Sequence, residues 1–394
     1  MPQNVGQLAE ATHYNAVAED VNKVFGDKYS TAAVTDPNRK ATHKFGWGAV
    51  NVTDNLSVGT LITATRLQDL VERTNVSIDH INITDSILVF AVPTGRVDVT
   101  ANTPIRAEDL NLVENKFLNT ILTNDNHTTV DPTNASALAA TPTSGGPITR
   151  TTPWFNKLTA EYHWDFQDYN HARYFFNSGG QLRVNLAMSG GCTAGYYNWA
   201  DVINEMGTLS FKWNDVQQSN SITIGTSFNK GFYDLTEYYG DGDGGTTDEG
   251  LLFESSGVTL TGYGYGYGYG YGYGYGSSNP YGFITGSGYH SAYASLYDPA
   301  CNIYTTSYST YSSYQNLKFK LYGKYSNNGE KVHFKLVLDD STFDQTIDGT
   351  ITASLSYLMP DIITQGGATF DVSPDPTVAV TDDFNSTGTP DTDQ

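Results

Sequence analysis

The sequence is short of charge and of long apolar runs, and each shortage excludes a class of protein. Only 16% of its 394 residues are charged, against roughly a quarter in an average globular protein. Lys and Arg total 21 while Asp and Glu total 42, and the net charge of −21 opposes binding to a nucleic-acid backbone. Residues 1–22 lack the basic start and apolar core of a secretory signal. No apolar run approaches the roughly 20 residues that span a bilayer. We therefore expect synthesis in the cytosol, no nucleic-acid partner and no membrane insertion.

Cysteine and catalytic motifs are scarce as well. Cys192 and Cys301 lie far apart in the sequence and form no CxxC unit, and a cytosolic chain keeps such thiols reduced unless the fold pairs them. No GxSxG, P-loop or dinucleotide fingerprint occurs. Asp339 and Asp340, near Asp344, have the residue types of a glycosidase acid and base, but carboxylates after a strand are far more often solvated. The sequence predicts a protein that is not an enzyme and holds no cofactor.

One acidic segment begins like a calcium-binding loop. Asp241 and Asp243 occupy its first and third positions, whereas Gly245 and Leu252 stand where the template needs an oxygen ligand and a glutamate. A solvated turn is the better interpretation, so these two aspartates are only weak metal candidates.

The composition favours β-structure. Polarity comes from Thr, Ser, Asn, Gly and 28 tyrosines, and β-branched and aromatic residues suit pleated strands. We predict a mainly β fold with a small N-terminal α/β repeat module and an antiparallel β-sandwich as C-terminal domain. The expected divisions are a helical attachment module at 1–122, a linker or extended arm at 123–153, an antiparallel β domain at 154–372, and an acidic, loose tail at 373–394.

An internal repeat organises the N-terminal third. Residues 5–12 (VGQLAEAT) recur as residues 58–65 (VGTLITAT), and a looser third copy begins at Thr103. Each copy enters an amphipathic helical pattern, and β-like connections at 46–52 and 87–92 alternate with the helices. Thr65 and Gln68 have the spacing of a capping box. The apolar positions expected to make an attachment surface, or simply the core of a small helical domain, are Val17, Val21, Leu67, Leu70, Val71, Leu110 and Val113.

Strand and turn signals fill the second half. Alternating patterns predict strands at 181–187 and 208–213. Two more, at 317–322 and 331–338, flank Asn328-Gly329, which indicates a hairpin. Residues 351–358, after the turn at Asp348-Gly349, supply another strand. Short strands punctuated in this way are typical of an antiparallel sandwich.

An uninterrupted Gly-Tyr repeat, residues 262–276, interrupts the β domain. In an extended conformation its tyrosines face one side and its glycines the other. Tyrosine ladders offer rigid, amphipathic contact area, so we expect an interaction surface for another subunit. A contact with a host glycan or an inert loop are the alternatives. The seven tyrosines are Tyr263, Tyr265, Tyr267, Tyr269, Tyr271, Tyr273 and Tyr275.

Two motifs resemble those of a known family. Phe45-Gly46-Trp47-Gly48, together with residues 58–64 and the helix that follows them, is similar to the N-terminal region of virion structural proteins of large marine and cyanobacterial tailed phages. Residues 172–183, with the sequence FFNSGG at 175–180, look like the recurrent start of a strand in the same proteins. The motifs bracket residues 5–190, and the strands to about 372 are similar in style.

The resemblance implies a virion protein that acts through subunit contacts. The expected role is that of a tail-associated component, such as a fibre, baseplate or collar subunit. Capsid decoration is the alternative, and a receptor-binding or glycan-depolymerising tail protein is a further one. The implied partners are copies of the chain itself and other virion proteins, with host surface glycan as an additional possibility. The implied location is the virion, after synthesis in the host cytoplasm.

Overall fold

The structure is a computed structural model, which describes residues 9–25, 46–49, 52, 54–81, 105, 107–116, 139–140, 147–191, 193–219, 225–239, 249–255, 289–290, 297–298, 303–304, 312–313, 317–340, 346–358 and 376–386. Several predicted features lie outside these residues: the Gly-Tyr tract 262–276, Asp241, Asp243, Asp344, Cys192, Cys301 and the connection 87–92.

Helices and strands follow one another along the described chain. The α-helices are α1 Ala11–Val24, α2 Ala64–Ile81, α3 Ala107–Lys116, α4 Tyr169–Asn177 and α5 Ala194–Met206. The strands are β1 Ala139–Ala140, β2 Ile148–Arg150, β3 Lys157–Asp165, β4 Gln181–Ser189, β5 Thr208–Phe211, β6 Val216–Gln218, β7 Gly225–Ser227, β8 Leu251–Ser255, β9 Tyr289–His290, β10 Tyr297–Asp298, β11 Ile303–Tyr304, β12 Ser312–Ser313, β13 Lys318–Ser326, β14 Lys331–Asp339, β15 Thr350–Leu358 and β16 Thr377–Ser386.

Two six-stranded antiparallel sheets form a sandwich, the β domain. The first sheet has the order β1-β15-β4-β5-β6, with β2 also paired to β15, and the second has the order β16-β3-β14-β13-β8-β7. Alternate residues of each sheet point into a common core. Trp164 of the second sheet meets Tyr357 of the first at 5.7 Å between ring centroids, and Phe334 meets Phe211 at 5.0 Å. The predicted mainly β fold with an antiparallel sandwich is therefore confirmed.

Two helices add their apolar sides to this core. Helix α4 begins where the Asp168 side chain accepts a hydrogen bond from the His171 amide, and it buries Phe175 and Phe176 in the sandwich. Helix α5 begins at the Thr193 cap and buries Trp199, which lies 5.7 Å from Trp154. The sequence analysis did not predict these two helices. Asp and Thr side chains satisfy the first backbone amides of a helix, so Asp168 and Thr193 were signals that could have located both of them.

Helices α1, α2 and α3 form a separate helical module with its own core. The three helices match the three predicted repeat copies. A part-buried hydrogen bond between His13 Nε2 and Glu114 Oε2, 3.0 Å long, joins α1 to α3. Trp47 packs against Phe25 at 6.0 Å, and its backbone amide donates to the Val24 carbonyl oxygen. Residues 46–49 and 52, the described part of this connection, belong to no strand, so the β-like interpretation is wrong for these residues.

Other local predictions need correction. Helix α2 begins at Ala64, which places Thr65 inside its first turn, and Gln68 donates to Glu72 instead of capping the helix. The predicted hairpin is confirmed as β13–β14, but its loop spans residues 327–330, and Asn327 adopts the left-handed conformation. In the FFNSGG motif the first three residues end α4, and only the remainder leads into β4.

The edges of the β domain extend beyond the predicted boundaries. Residues 377–386, expected to be a loose tail, form strand β16 and pair with β3. Val378 and Phe384 are buried there. Their burial, together with the backbone hydrogen bonds between β16 and β3, stabilises an ordered strand in spite of the acidic composition. Strands β1 and β2, from the predicted linker, pair with the free side of β15.

Candidate interaction surfaces

The predicted attachment residues lie inside the helical module. Six of them, Val17, Val21, Leu67, Leu70, Leu110 and Val113, are buried in its core, and Val71 packs against that core half-exposed. Their apolar faces therefore hold the three helices to one another. They stabilise the module and are not available to a partner.

Two asparagines of α1 fix the segment that leads into α2. Asn22 donates its side-chain amide to the Val52 carbonyl at 3.0 Å and accepts from the Val52 amide at 2.8 Å. Two helical turns earlier, Asn15 makes the same pair of bonds with Leu56, at 3.0 and 2.9 Å. Each asparagine thus replaces the backbone partner that a neighbouring strand would supply. The spacing of seven residues places both side chains on one face of the helix.

Beyond this segment the second repeat motif makes an exposed turn. The Thr60 amide donates to the Ser57 carbonyl at 2.9 Å, and Gly59 has a φ of +87° with open space around it. Val58 and Leu61 project from the turn with 87% and 80% of their surface exposed. They are the most exposed large apolar side chains of the described residues.

This turn borders a depression that we call the repeat groove, defined by residues 9–12, 58–62 and Ile105. The groove has a volume of about 540 Å³. It forms where the chain segments before or at the start of all three helices meet, and the Ala9 amide donates to the Ile105 carbonyl at 3.3 Å. The repeat is visible in the sequence, but its helical periodicity pointed to the helix faces and not to this groove. The signal it passed over was Val58 and Leu61 themselves, apolar residues that precede the helix and fall outside its buried stripe.

The sequence motifs around Gly46 and Asn177 contact each other. Asn177, at the end of α4, donates its side-chain amide to the Gly46 carbonyl at 2.8 Å and accepts a hydrogen bond from the Tyr233 hydroxyl. A Cβ added to Gly48 would lie 2.6 Å from the Tyr174 ring. These five residues form what we call the module joint, which links the helical module to the β domain.

The two neighbouring aspartates considered as a glycosidase pair do not face one another. Asp339 lies on the outer face of β14, paired in register with Lys157 and Lys318. Asp340 is buried, and Trp199 Nε1 donates to its Oδ2 at 3.3 Å. Burial raises the pKa of Asp340 to about 7, although the Trp199 hydrogen bond opposes the shift. The expectation that both carboxylates are solvated is therefore wrong for Asp340.

Two further features, a cluster of metal ligands and a membrane-spanning helix, are absent from the described ranges. Within them, no three His, Cys, Asp or Glu side chains come together as a metal site would require. None of the helices described is both long enough and apolar enough to cross a bilayer. Comparison of the chain with protein-family models, curated proteins and solved structures finds no match.

Proposed function

We propose that this protein is a non-enzymatic structural subunit of a tailed-phage virion. In this proposal it is tail-associated, as a fibre, baseplate or collar subunit, and it acts through contacts with copies of itself and with other virion proteins. The helical module attaches the subunit to the particle, and the β domain is the part that it presents.

The exposed pair Val58 and Leu61 beside the repeat groove is the observation that supports this proposal. Apolar side chains this exposed, next to a groove and rimmed by polar residues, are typical of a protein–protein contact. Glu10 and Thr12 supply the polar rim, while Ala9, Ala11 and Ile105 line the groove. Burying one Val and one Leu contributes roughly 4 kcal/mol, which corresponds to about a thousandfold in affinity.

So small a contact suits a subunit that is held at several points at once. A stable two-protein complex buries on the order of 1,600 Å², far more than two side chains can provide. In a particle, each contact that a subunit makes holds its other binding surfaces close to their partners. The effective concentration of those surfaces rises, so several weak contacts together give a stable assembly. The module joint supports the same view, because it ties the attached module directly to the presented domain.

The decisive experiment replaces Val58 and Leu61 by serine in the full chain and measures how many copies enter each purified particle. We expect at least a tenfold loss of incorporation for the double variant, while circular dichroism remains that of the wild type. Leu112→Ser is the matched control, because Leu112 is also exposed on the helical module, with 37% of its surface accessible, but lies outside the repeat groove.

Two results would contradict the proposal. Incorporation of the double variant at the wild-type copy number would remove the groove from the attachment role. Absence of the wild-type chain from purified particles would remove the virion assignment itself. The copy number and position measured in the same experiment distinguish a tail subunit from a capsid decoration protein present in hundreds of copies. Clearing of a glycan lawn by the purified chain would favour a depolymerase.

A further inference from the structure

The outer face of the first sheet carries almost no charge, although the chain is strongly acidic. Leu182, Phe211 and Leu355 point into the core, and successive side chains of a strand point to opposite faces, so their sequence neighbours point outward. The chain has 42 acidic residues, yet no carboxylate occupies the outward positions of β15, β4 and β5, and Arg183 is the one charged residue there. These positions include Thr350, Thr352, Ser354 and Ser356 of β15, Gln181, Arg183, Asn185, Ala187 and Ser189 of β4, and Thr208 and Ser210 of β5.

Arg183 lies between two serines whose hydroxyl groups can bind a ligand. The strand register pairs Arg183 with Ser356 on one side and with Ser210 on the other. The described part of the chain provides no hydrogen-bond partner for either hydroxyl group. Arg183 donates from Nε and Nη2 to Gln181 Oε1, at 3.3 and 3.1 Å, which leaves its Nη1 for a ligand.

A second cation lies on the same side of the sheet. Lys212 directly follows β5, two positions after Ser210, and so points outward with it. Its Nζ donates to Gln217 Oε1, and Gln217 Nε2 donates in turn to Asp215 Oδ2 at 3.1 Å. Neither Lys212 nor Arg183 forms an ion pair with any residue that the structure describes. Together, Arg183, Lys212 and Asp215 carry one positive charge in excess.

The surroundings of these two cations favour the arrival of an anion. Burial lowers the pKa of the Arg183 guanidinium and of the Lys212 ammonium. At Lys212 the Asp215 carboxylate opposes the shift in pKa, and the Arg183 charge adds to it. A negative charge placed nearby would stabilise the charged form of both side chains. Hydrogen bonds to an ionised acceptor are also stronger than those between neutral groups.

The spacing of the donors indicates a ligand larger than a simple ion. Neighbouring strands lie about 4.8 Å apart, so Ser356 and Ser210 are separated by about 10 Å across Arg183. A sulfate or carboxylate group alone cannot reach both serines. A sugar that bears such a group can place its acid at Arg183 and Lys212 and its hydroxyl groups at the serines. The uncharged amides and hydroxyls that continue along the face suit further sugar units.

We propose that this face is a binding site for acidic sugars, carbohydrate units that carry a carboxylate or a sulfate group. Arg183 and Lys212 hold the acidic group, and Ser210 and Ser356 bind the sugar hydroxyls. The planar guanidinium of Arg183 presents its N–H groups in a fixed fork that matches a carboxylate. The net charge of −21 repels polyanions from the remainder of the surface, so binding of an acidic polymer would be confined to this face.

This inference goes beyond the proposed function and does not depend on it, because it concerns the purified chain and a sheet face distant in sequence from the repeat groove. The test titrates the full wild-type chain with polygalacturonate, dextran sulfate and neutral dextran in about 150 mM salt and follows binding by calorimetry. We expect binding of at least one of the two acidic polymers and no binding of the neutral one. Comparison of the carboxylated with the sulfated polymer shows which acidic group the site prefers.

Four substitutions make the test specific. Arg183→Gln removes the central cation and should weaken binding roughly tenfold or more. Ser210→Ala removes one hydroxyl group and should weaken binding about threefold. Arg66→Gln is the matched control for the first variant, because it makes the same change of charge on the helical module. Ser189→Ala is the control for the second, because it removes a hydroxyl at the far end of β4, about 20 Å from Arg183. Both control variants should bind as the wild type does.

A wild-type chain that binds neither acidic polymer, or binds neutral dextran equally well, overturns the proposal. So does unchanged binding by Arg183→Gln while circular dichroism shows that variant folded. A wild-type chain that binds no polymer but self-associates in sedimentation, and does so only with Arg183 present, would assign the site to a carboxylate of a second copy and contradict the sugar ligand. Failure here would leave the role of Val58 and Leu61 untouched, because that role is measured by incorporation into particles.

Discussion

Asp340 has 1% of its surface exposed and lies at the end of β14, where the chain leaves the second sheet. Its Oδ2 accepts the indole hydrogen bond of Trp199, and its Oδ1 has no hydrogen-bond partner among the described residues. Burial raises the pKa of this carboxyl to about 7. The folded protein therefore binds a proton at this site that the unfolded chain has released. Between about pH 4 and about pH 7, folding takes up that proton.

The consequence is a stability that falls as pH rises. Asp340 contributes stability below its unfolded pKa near 4, and this contribution is lost as pH rises through its folded pKa near 7. Replacing Asp340 by asparagine removes the charge, so we expect the variant to gain on the wild type by roughly 4 kcal/mol between pH 4 and pH 8. Urea unfolding of both proteins across this range measures the difference in free energy of unfolding.

A second titrating group, His333, makes the free energy of unfolding increase as pH rises, the opposite of the effect of Asp340. Burial lowers the pKa of His333 to about 4, and His163 and nearby lysines add to the shift. Its contribution is present above about pH 6.5 and is lost as pH falls toward 4. Because both proteins contain His333, subtracting the wild-type curve from the Asp340→Asn curve removes its effect. A difference that stays constant with pH would show that Asp340 is ionised in the folded state throughout.

At the scale of elements, the amides of Asn15 and Asn22 determine where the chain runs between α1 and α2. Both make a reciprocal pair of hydrogen bonds with one backbone residue. They differ in burial, since Asn22 is buried while Asn15 is partly accessible. Water can replace the bonds of Asn15 but not those of Asn22. The hydrogen bonds between Asn22 and Val52 should therefore matter more for holding the exposed turn in position than those between Asn15 and Leu56.

Asn22→Ala should destabilise the helical module by about 2–3 kcal/mol, because two buried backbone groups of Val52 lose their partners. Asn15→Ala, the matched control on the same face of the helix, should cost about 1 kcal/mol. Hydrogen exchange at the Val52 amide, which donates to Asn22, should accelerate in the first variant and change little in the second. Equal effects of the two substitutions would mean that burial does not decide the contribution.

At the scale of the whole molecule, the module joint decides whether the two parts behave as one unit. Gly48 and Gly59 both have positive φ, +76° and +87°, so an alanine at either position strains the backbone. Only at Gly48 would the new Cβ also meet a side chain of the β domain, Tyr174 at 2.6 Å. Comparing alanine substitutions at the two glycines therefore separates the effect of backbone strain from the effect of the contact between the helical module and the β domain.

Gly59→Ala should cost about 1 kcal/mol and leave thermal unfolding as a single transition. Gly48→Ala should cost a further 1–3 kcal/mol and split the unfolding into two transitions as the helical module and the β domain uncouple. Calorimetry of both variants makes the comparison. Adding Tyr174→Ala to Gly48→Ala should recover part of the lost stability. Identical melting of the two glycine variants would argue that the joint carries no coupling.

The sequence by itself determined the elements whose pattern is local. The 53-residue repeat located α1 and α2, because an amphipathic helix needs only apolar residues at helical spacing. Alternation and the turn at Asn328-Gly329 located β13 and β14 for the same reason. These features together gave the mainly β fold class with an N-terminal helical module.

Tertiary structure decided everything that depends on which residues meet. Composition indicated a loose tail from Ser373. In the structure, Val378 and Phe384 are buried in the sandwich, and their strand pairs with β3. A local sequence pattern does not reveal such a distant partner strand. The sequence pattern of Val17 and the other predicted attachment residues fitted an attachment surface and a helical core equally well. Periodicity shows which face of a helix is apolar, but not what packs against that face. Only packing buried those residues and left Val58 and Leu61 exposed. It also brought together Gly46 and Asn177, which are 131 positions apart.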